Sequence, residues 1–134
     1  MNQELTMAMV EKAGHVCDLA RNGREATDMV IQARRNGSPY DLVLMDIQMP
    51  VMNGRDATAA LREAGVNSPV IALTANVMAE DIADYRLAGC NEHLAKPIDK
   101  QRFYEALSRY LEFTPESVEP PVRAFKGRVL VAED

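Results

Sequence analysis

A chain of 134 residues, 47% apolar and 26% charged, has the make-up of one globular domain and enough length to bury a core. Its net charge of −5 gives no basic footprint for nucleic acid, no apolar stretch nears the ~20 residues of a membrane helix, and no signal-peptide core opens it. Neither nucleic acid nor membrane is therefore expected as a direct partner, cytoplasm is the expected compartment, and Cys17 and Cys90, which lack metal-ligand spacing, are expected as reduced thiols.

Residues 2–13 read as a helix, with Leu5, Met9 and Ala13 four apart and Gly14 as its stop. His15 to Ala20 is a short strand, punctuated by Asn22-Gly23. A helix follows over about 24–35 with the stripe Ala26, Met29, Val30 and Ala33, and Asn36-Gly37-Ser38-Pro39 ends it. The run Leu42-Val43-Leu44-Met45 is continuous and apolar, as in strands buried on both faces, and it ends at Asp46. A loop over 47–54 leads into a helix to about residue 64, and Pro69 to Leu73 is the next buried strand. Helix 79–88 stops at Gly89, Glu92 to Ala95 is a short strand before Lys96-Pro97, and helix 100–112 is capped by Asp99 with Ile98 and Phe103 as a hydrophobic staple. Residues 113–124 are a Pro-rich linker, and 125–134 bring a final strand over 127–132. The chain shows no internal repeats.

Such alternation predicts a parallel sheet with helices on both faces. Returning the last strand to the front gives five βα units, a (βα)5 domain. All strand C-termini then share one edge, and that edge collects Asp46, Thr74, Lys96, Glu133 and Asp134. Alone, each has an ordinary reading: an Asp in a turn, a Thr as a cap, a Lys-Pro in a solvated bend. Together they form a site. Three converging carboxylates repel unless a cation joins them, and an all-oxygen cluster suits Mg2+. Asp46 is then a candidate nucleophile for a phosphoryl group, with Lys96 and Thr74 stabilising the charge on its oxygens.

Four segments carry a family resemblance. Val43-Leu44-Met45-Asp46-Ile47-Gln48-Met49-Pro50-Val51-Met52-Asn53-Gly54 resembles the phosphoacceptor segment of response-regulator receiver domains. Ala72-Leu73-Thr74-Ala75-Asn76 and His93-Leu94-Ala95-Lys96-Pro97-Ile98 resemble two further signatures, and Val129 to Asp134 resembles the family's first strand with its acidic pair. Residues 73–81, with Ala88-Gly89-Cys90, are most similar to receivers of hybrid sensor histidine kinases, which allows the cytoplasmic part of a membrane-attached sensor.

The resemblance implies a flavodoxin-like doubly wound sheet of order 2-1-3-4-5, an order of which a receiver is a standing example. It implies a phosphoryl group passed to Asp46 from a phosphohistidine on a histidine kinase or phosphotransfer domain, the receiver catalysing its own phosphorylation and dephosphorylation. Glu133, Asp134, Asp46 and the backbone carbonyl of Gln48 would hold Mg2+. Lys96 would contact the phosphoryl group, the bond before Pro97 would be cis, and Thr74 would move toward the phosphoryl group with the residue at the aromatic switch position following. That position holds His93 rather than Tyr or Phe, while Gln48 and Asn76 stand where the family tunes phosphoryl lifetime.

The strand that belongs first in this order comes last. It must insert between strands 15–20 and 41–46, and a linker of ~12 extended residues reaches about 40 Å, enough for closure within one molecule. That arrangement is a circular permutation. A strand-swapped dimer and a piece of tandem receivers are the rivals. A small-molecule phosphatase or phosphotransferase with an Asp nucleophile is the alternative function, disfavoured by Gln48 where such sites carry a second acid; an inactive structural module is the other.

Overall fold

In the computed structural model, residues 3–12, 15–49, 51–75, 78–96, 98–111 and 128–132 are described. They form α1 (Gln3–Lys12), β1 (Val16–Ala20), α2 (Gly23–Arg35), β2 (Leu42–Asp46), α3 (Gly54–Glu63), β3 (Val70–Thr74), α4 (Ala79–Ala88), β4 (Glu92–Ala95), α5 (Lys100–Leu111) and β5 (Arg128–Ala132). The strands make one parallel sheet in the order β1-β5-β2-β3-β4. Counting β5 as the first strand turns this into 2-1-3-4-5, the expected flavodoxin-like order.

Alternation along the buried strands explains the layers. Leu42 and Leu44 of β2 and Val129 and Val131 of β5 face one side, where they pack with Met9 and Val10 of α1 and Phe103, Ala106 and Leu107 of α5. Val43, Met45, Leu130 and Ala132 face the other, against Ala26 and Val30 of α2, Ala57 and Leu61 of α3 and Tyr85 of α4. Every β5 position from Val129 to Ala132 is fully buried. Each large apolar side chain of that kind contributes roughly 1.5–3 kcal/mol by leaving water, so β5 holds the two layers together.

β5 pairs with β1 and β2 of its own chain, and Arg128 fixes its start. The Arg128 main chain exchanges two bonds with Asp41, its N–H donating to the carboxylate and its carbonyl accepting from the Asp41 N–H, both at 2.8 Å. The guanidinium lies over the Tyr40 ring at 4.6 Å from its centre and donates to the Ser38 carbonyl. Tyr40 in turn donates to Asp18 at 2.7 Å; burial and that carboxylate push its pKa up to about 12.

A six-residue motif does recur, against the reading of no repeats. Asn22-Gly23-Arg24-Glu25-Ala26-Thr27 opens α2 and Asn53-Gly54-Arg55-Asp56-Ala57-Thr58 opens α3. In each, the Asn side chain accepts from the N–H three residues on at 2.8 Å, and the Thr hydroxyl donates to the Gly carbonyl at 2.8 Å. The Gly23 N–H donates to the Met52 carbonyl at 2.9 Å, tying the start of α2 to the loop before α3. The α5 start is as expected: the Asp99 carboxylate accepts from the Gln101 N–H at 2.9 Å, and Ile98 packs on the cluster holding Phe103.

The linker, 113–124, lies outside the described residues. Both cysteines are free thiols. Burial, with Glu11 and Asp18, pushes Cys17 up to about 12, and burial raises Cys90, so neither is poised as a thiolate. Among the described residues no helix is long and apolar enough to cross a membrane.

Candidate functional site

The sheet register brings the predicted groups to one edge. Asp46, the last residue of β2, stands opposite Leu73, and Thr74, the last of β3, stands opposite Ala95. The ladder continues one step further: the Ile47 N–H donates to the Leu73 carbonyl at 3.0 Å and the Lys96 N–H to the Thr74 carbonyl at 2.9 Å. These bonds fix the positions from which Asp46 and Lys96 meet.

Lys96 Nζ lies 2.8 Å from Asp46 Oδ2, and the side chains are 19% and 8% exposed. The other carboxylate oxygen, Oδ1, accepts from the Gln48 N–H at 2.9 Å. An ionised carboxylate has about four acceptor positions, so two remain for a cation or an incoming group. Asp46 is thus held in one orientation, nearly buried, with open lone pairs at a sheet edge.

The loop after β2 is shaped by close packing. The Gly54 N–H donates to the Ile47 carbonyl at 3.0 Å, and a Cβ on Gly54 would lie 2.3 Å from the Asp46 carbonyl oxygen. Only glycine allows α3 to start this close to the strand end. Between them, Val51 takes φ +69°, a left-handed conformation costly for a β-branched residue, and its side chain is exposed.

A cleft of about 500 Å³ opens beside Gln48, lined by Ile47, Met49, Asn53, Arg55, Asp81 and Tyr85. Arg55 of α3 faces Asp84 of α4 at 3.7 Å, an exposed pair that contributes little.

Of the predicted residues, Asp46 meets Lys96 and the Gln48 N–H, and Thr74 stands at the same sheet edge. His93 sits half-buried within β4, opposite Ala72. Glu133, Asp134, Asn76 and Pro97 lie outside the described residues, and with them two of the three expected carboxylates; among the described residues no group of three or more His, Cys, Asp or Glu could hold a metal. Ala132 is the register partner of Met45, and the chain runs on from it into Glu133 and Asp134. His15 precedes β1 and so lies toward the opposite edge, away from Asp46.

Sequence reasoning missed Tyr85. Its phenol oxygen lies 3.0 Å from the Thr74 hydroxyl, and both residues are buried. The available signal was the helical stripe Ile82, Tyr85 and Ala88, which puts Tyr85 on the inward face of α4.

Known proteins resemble this chain consistently. The family model described as the response regulator receiver domain matches residues 1–108. Hybrid signal transduction histidine kinase I of Dictyostelium discoideum is 34% identical over 120 residues, which cover 84% of this chain and 7% of that protein. Two-component response regulator ORR41 of Oryza sativa subsp. japonica is 36% identical over 112 residues, covering 82% of this chain and 86% of that protein. The chain spans only a small part of the histidine kinases it matches. Among solved structures, the receiver domain of a Pseudomonas aeruginosa sensor histidine kinase, with magnesium coordinated in its active site cleft, has a TM-score of 0.71 and 35% identity, covering 81% of this chain and 87% of that one. The receiver domain of the Saccharomyces cerevisiae response regulator Ssk1, crystallised with the histidine phosphotransfer protein Ypd1, has a TM-score of 0.71 and 25% identity, covering 81% of this chain and 79% of that one. Sheet order, edge residues and relatives agree, and the chain belongs to the response regulator receiver domains of two-component phosphorelay systems.

Proposed function

We propose that Asp46 is the phosphoacceptor and that it takes its phosphoryl group from a phosphohistidine on a histidine kinase or a phosphotransfer protein. The observation that carries this is the Asp46–Lys96 pair at 2.8 Å: a nearly buried carboxylate with free lone pairs beside a fixed positive charge. An Asp46 oxygen attacks phosphorus and the bond to the histidine nitrogen breaks, the imidazole leaving. Charge on the three equatorial oxygens falls within reach of a cation at Lys96, which needs no reorganisation at the moment of transfer. The Gln48 N–H holds the carboxylate against rotation while this happens.

The donor set fits Mg2+. It is all oxygen, and within its described part, Asp46 and the Gln48 carbonyl, Asp46 keeps two acceptor positions. Asp46, the Gln48 carbonyl, Glu133 and Asp134 would hold the ion, which supplies charge neutralisation at the phosphoryl oxygens. The magnesium of the Pseudomonas aeruginosa receiver supports this reading, and the Ypd1 complex of Ssk1 supports a phosphotransfer protein as partner.

We read the strand order as a circular permutation of the receiver, with the central strand following the other four in sequence. Two receivers in succession, the second beginning near residue 128, would give the same residue order. Closure within one chain is favoured by β5, whose pairing with both β1 and β2 is continuous.

Incubation with acetyl phosphate and Mg2+, followed by intact mass, tests the phosphoacceptor. The unaltered chain gains one phosphoryl mass and Asp46→Asn gains none. An adduct that survives Asp46→Asn, or none on either chain, contradicts it. Turnover of a generic phosphate ester would instead favour the phosphatase reading.

A further inference from the structure

The Thr74 hydroxyl already has an engagement inside the fold. It lies 3.0 Å from the phenol oxygen of Tyr85, with Thr74 2% and Tyr85 6% exposed. Tyr85 belongs to α4 and also lines the cleft beside Gln48, so it touches both the end of β3 and that cleft. We propose that Tyr85 is a positioning residue for phosphoryl transfer: it donates to Thr74, leaves the Thr74 proton for a phosphoryl oxygen on Asp46, and so couples the state of Asp46 to α4. The proposal rests on Asp46 being the phosphoacceptor.

The chemistry follows from what a hydroxyl can do. It has one proton to give and two lone pairs to accept with, so Thr74 can accept from Tyr85 and donate elsewhere at once. An anionic phosphoryl oxygen is a stronger acceptor than a phenol. Once present, it captures the Thr74 proton and fixes the direction as Tyr85 to Thr74 to phosphoryl oxygen. Bonds in such a chain polarise one another, which is strongest where water is excluded.

The coupling to α4 has a structural basis. The helix is anchored at its C-terminal end, where the Arg62 guanidinium donates to the Gly89 carbonyl at 2.8 and 3.2 Å. Its N-cap, Met78, makes no side-chain capping bond, and the Arg55–Asp84 pair at the rim is exposed. Tyr85 is a buried polar contact between the end of β3 and α4, and through it a shift of Thr74 is passed to the helix. The family resemblance gave the aromatic role to the position of His93, which offers an imidazole; here the phenol comes from α4 instead.

The test follows phosphorylation by acetyl phosphate with Mg2+ through intact mass over time. It compares the unaltered chain, Tyr85→Phe, Thr74→Ala and the double variant, with melting temperatures showing that each is folded. Phe keeps the ring and removes the hydroxyl. Loss of one bond in the relay is expected to slow phosphorylation by roughly three- to tenfold, and to cost nothing further once Thr74 is Ala. Amide exchange across α4 is expected to change on phosphorylation in the unaltered chain and not in Tyr85→Phe. A wild-type rate in Tyr85→Phe, a loss undiminished in the Thr74→Ala background, or an α4 response that survives without the phenol overturns the proposal while leaving Asp46 as the acceptor. Failure of the unaltered chain to form any adduct overturns both.

Discussion

Asp46 and Lys96 are worth more as a pair than either is alone. With side chains 8% and 19% exposed, each has given up most of its water for the other. Removing one partner strands a buried charge, which costs about 3–5 kcal/mol, whereas removing both charges is far cheaper. Lys96→Met should therefore lower stability toward urea by about 3 kcal/mol at neutral pH, and adding Asp46→Asn should restore most of the loss. An additive result would mean that the charges do not meet in solution. At this scale Asp46 and Thr74 were legible in the sequence because each ends an apolar run that reads as a buried strand, and Lys96 because it follows the short strand Glu92–Ala95. Tyr85 was not, because its partner Thr74 is 11 positions away and reaches it only across the packing of α4 on the sheet.

Elements are legible where burial imposes a period. The runs of β2 and β3 and the stripes of α2 and α5 stand close to where the sequence places them, and α4 spans Ala79–Ala88 before a left-handed Gly89 at φ +115°. Polar ties between elements leave no such trace. Glu92 of β4 accepts from Arg109 and from Tyr110 of α5, the latter at 2.9 Å. Burial works to raise the Glu92 pKa, but bonds from Arg109 and Tyr110 and the Arg109 charge outweigh it, leaving the carboxyl below its usual 4.5. A lowered folded-state pKa gives stability that is present above the unfolded value and lost as pH falls through the folded one. Glu92→Gln should thus unfold at lower urea than the unaltered chain at pH 7, and the gap should close as pH falls below the ordinary carboxylate range. A gap independent of pH would assign the effect to shape rather than charge.

At the scale of the whole molecule, the sheet is closed by its last strand. The alternation of elements and the apolar run 129–132 point to a central parallel strand, but residue order alone leaves open whose sheet it completes. The pairing of β5 with β1 and β2 favours the same chain. Cys17 and Val129 are register partners. Neighbouring strands lie about 4.8 Å apart, within the ~4.4–6.8 Å that a disulfide spans. Oxidised Val129→Cys should therefore run as a cross-linked monomer on a non-reducing gel; a covalent dimer would show the strand exchanged between molecules.

Closure of this kind would bring residues distant in sequence to one phosphoryl-transfer site, with Asp46 in the body and Glu133 and Asp134 just after β5. The Mg2+ dependence of phosphorylation by acetyl phosphate tests this most directly, comparing the unaltered chain with the Glu133→Gln, Asp134→Asn double variant. Loss of the acidic pair should raise the Mg2+ concentration for half-maximal rate by about tenfold or more. An unchanged Mg2+ requirement would contradict the account, because Asp46 would then be served by a site that does not include the end of β5.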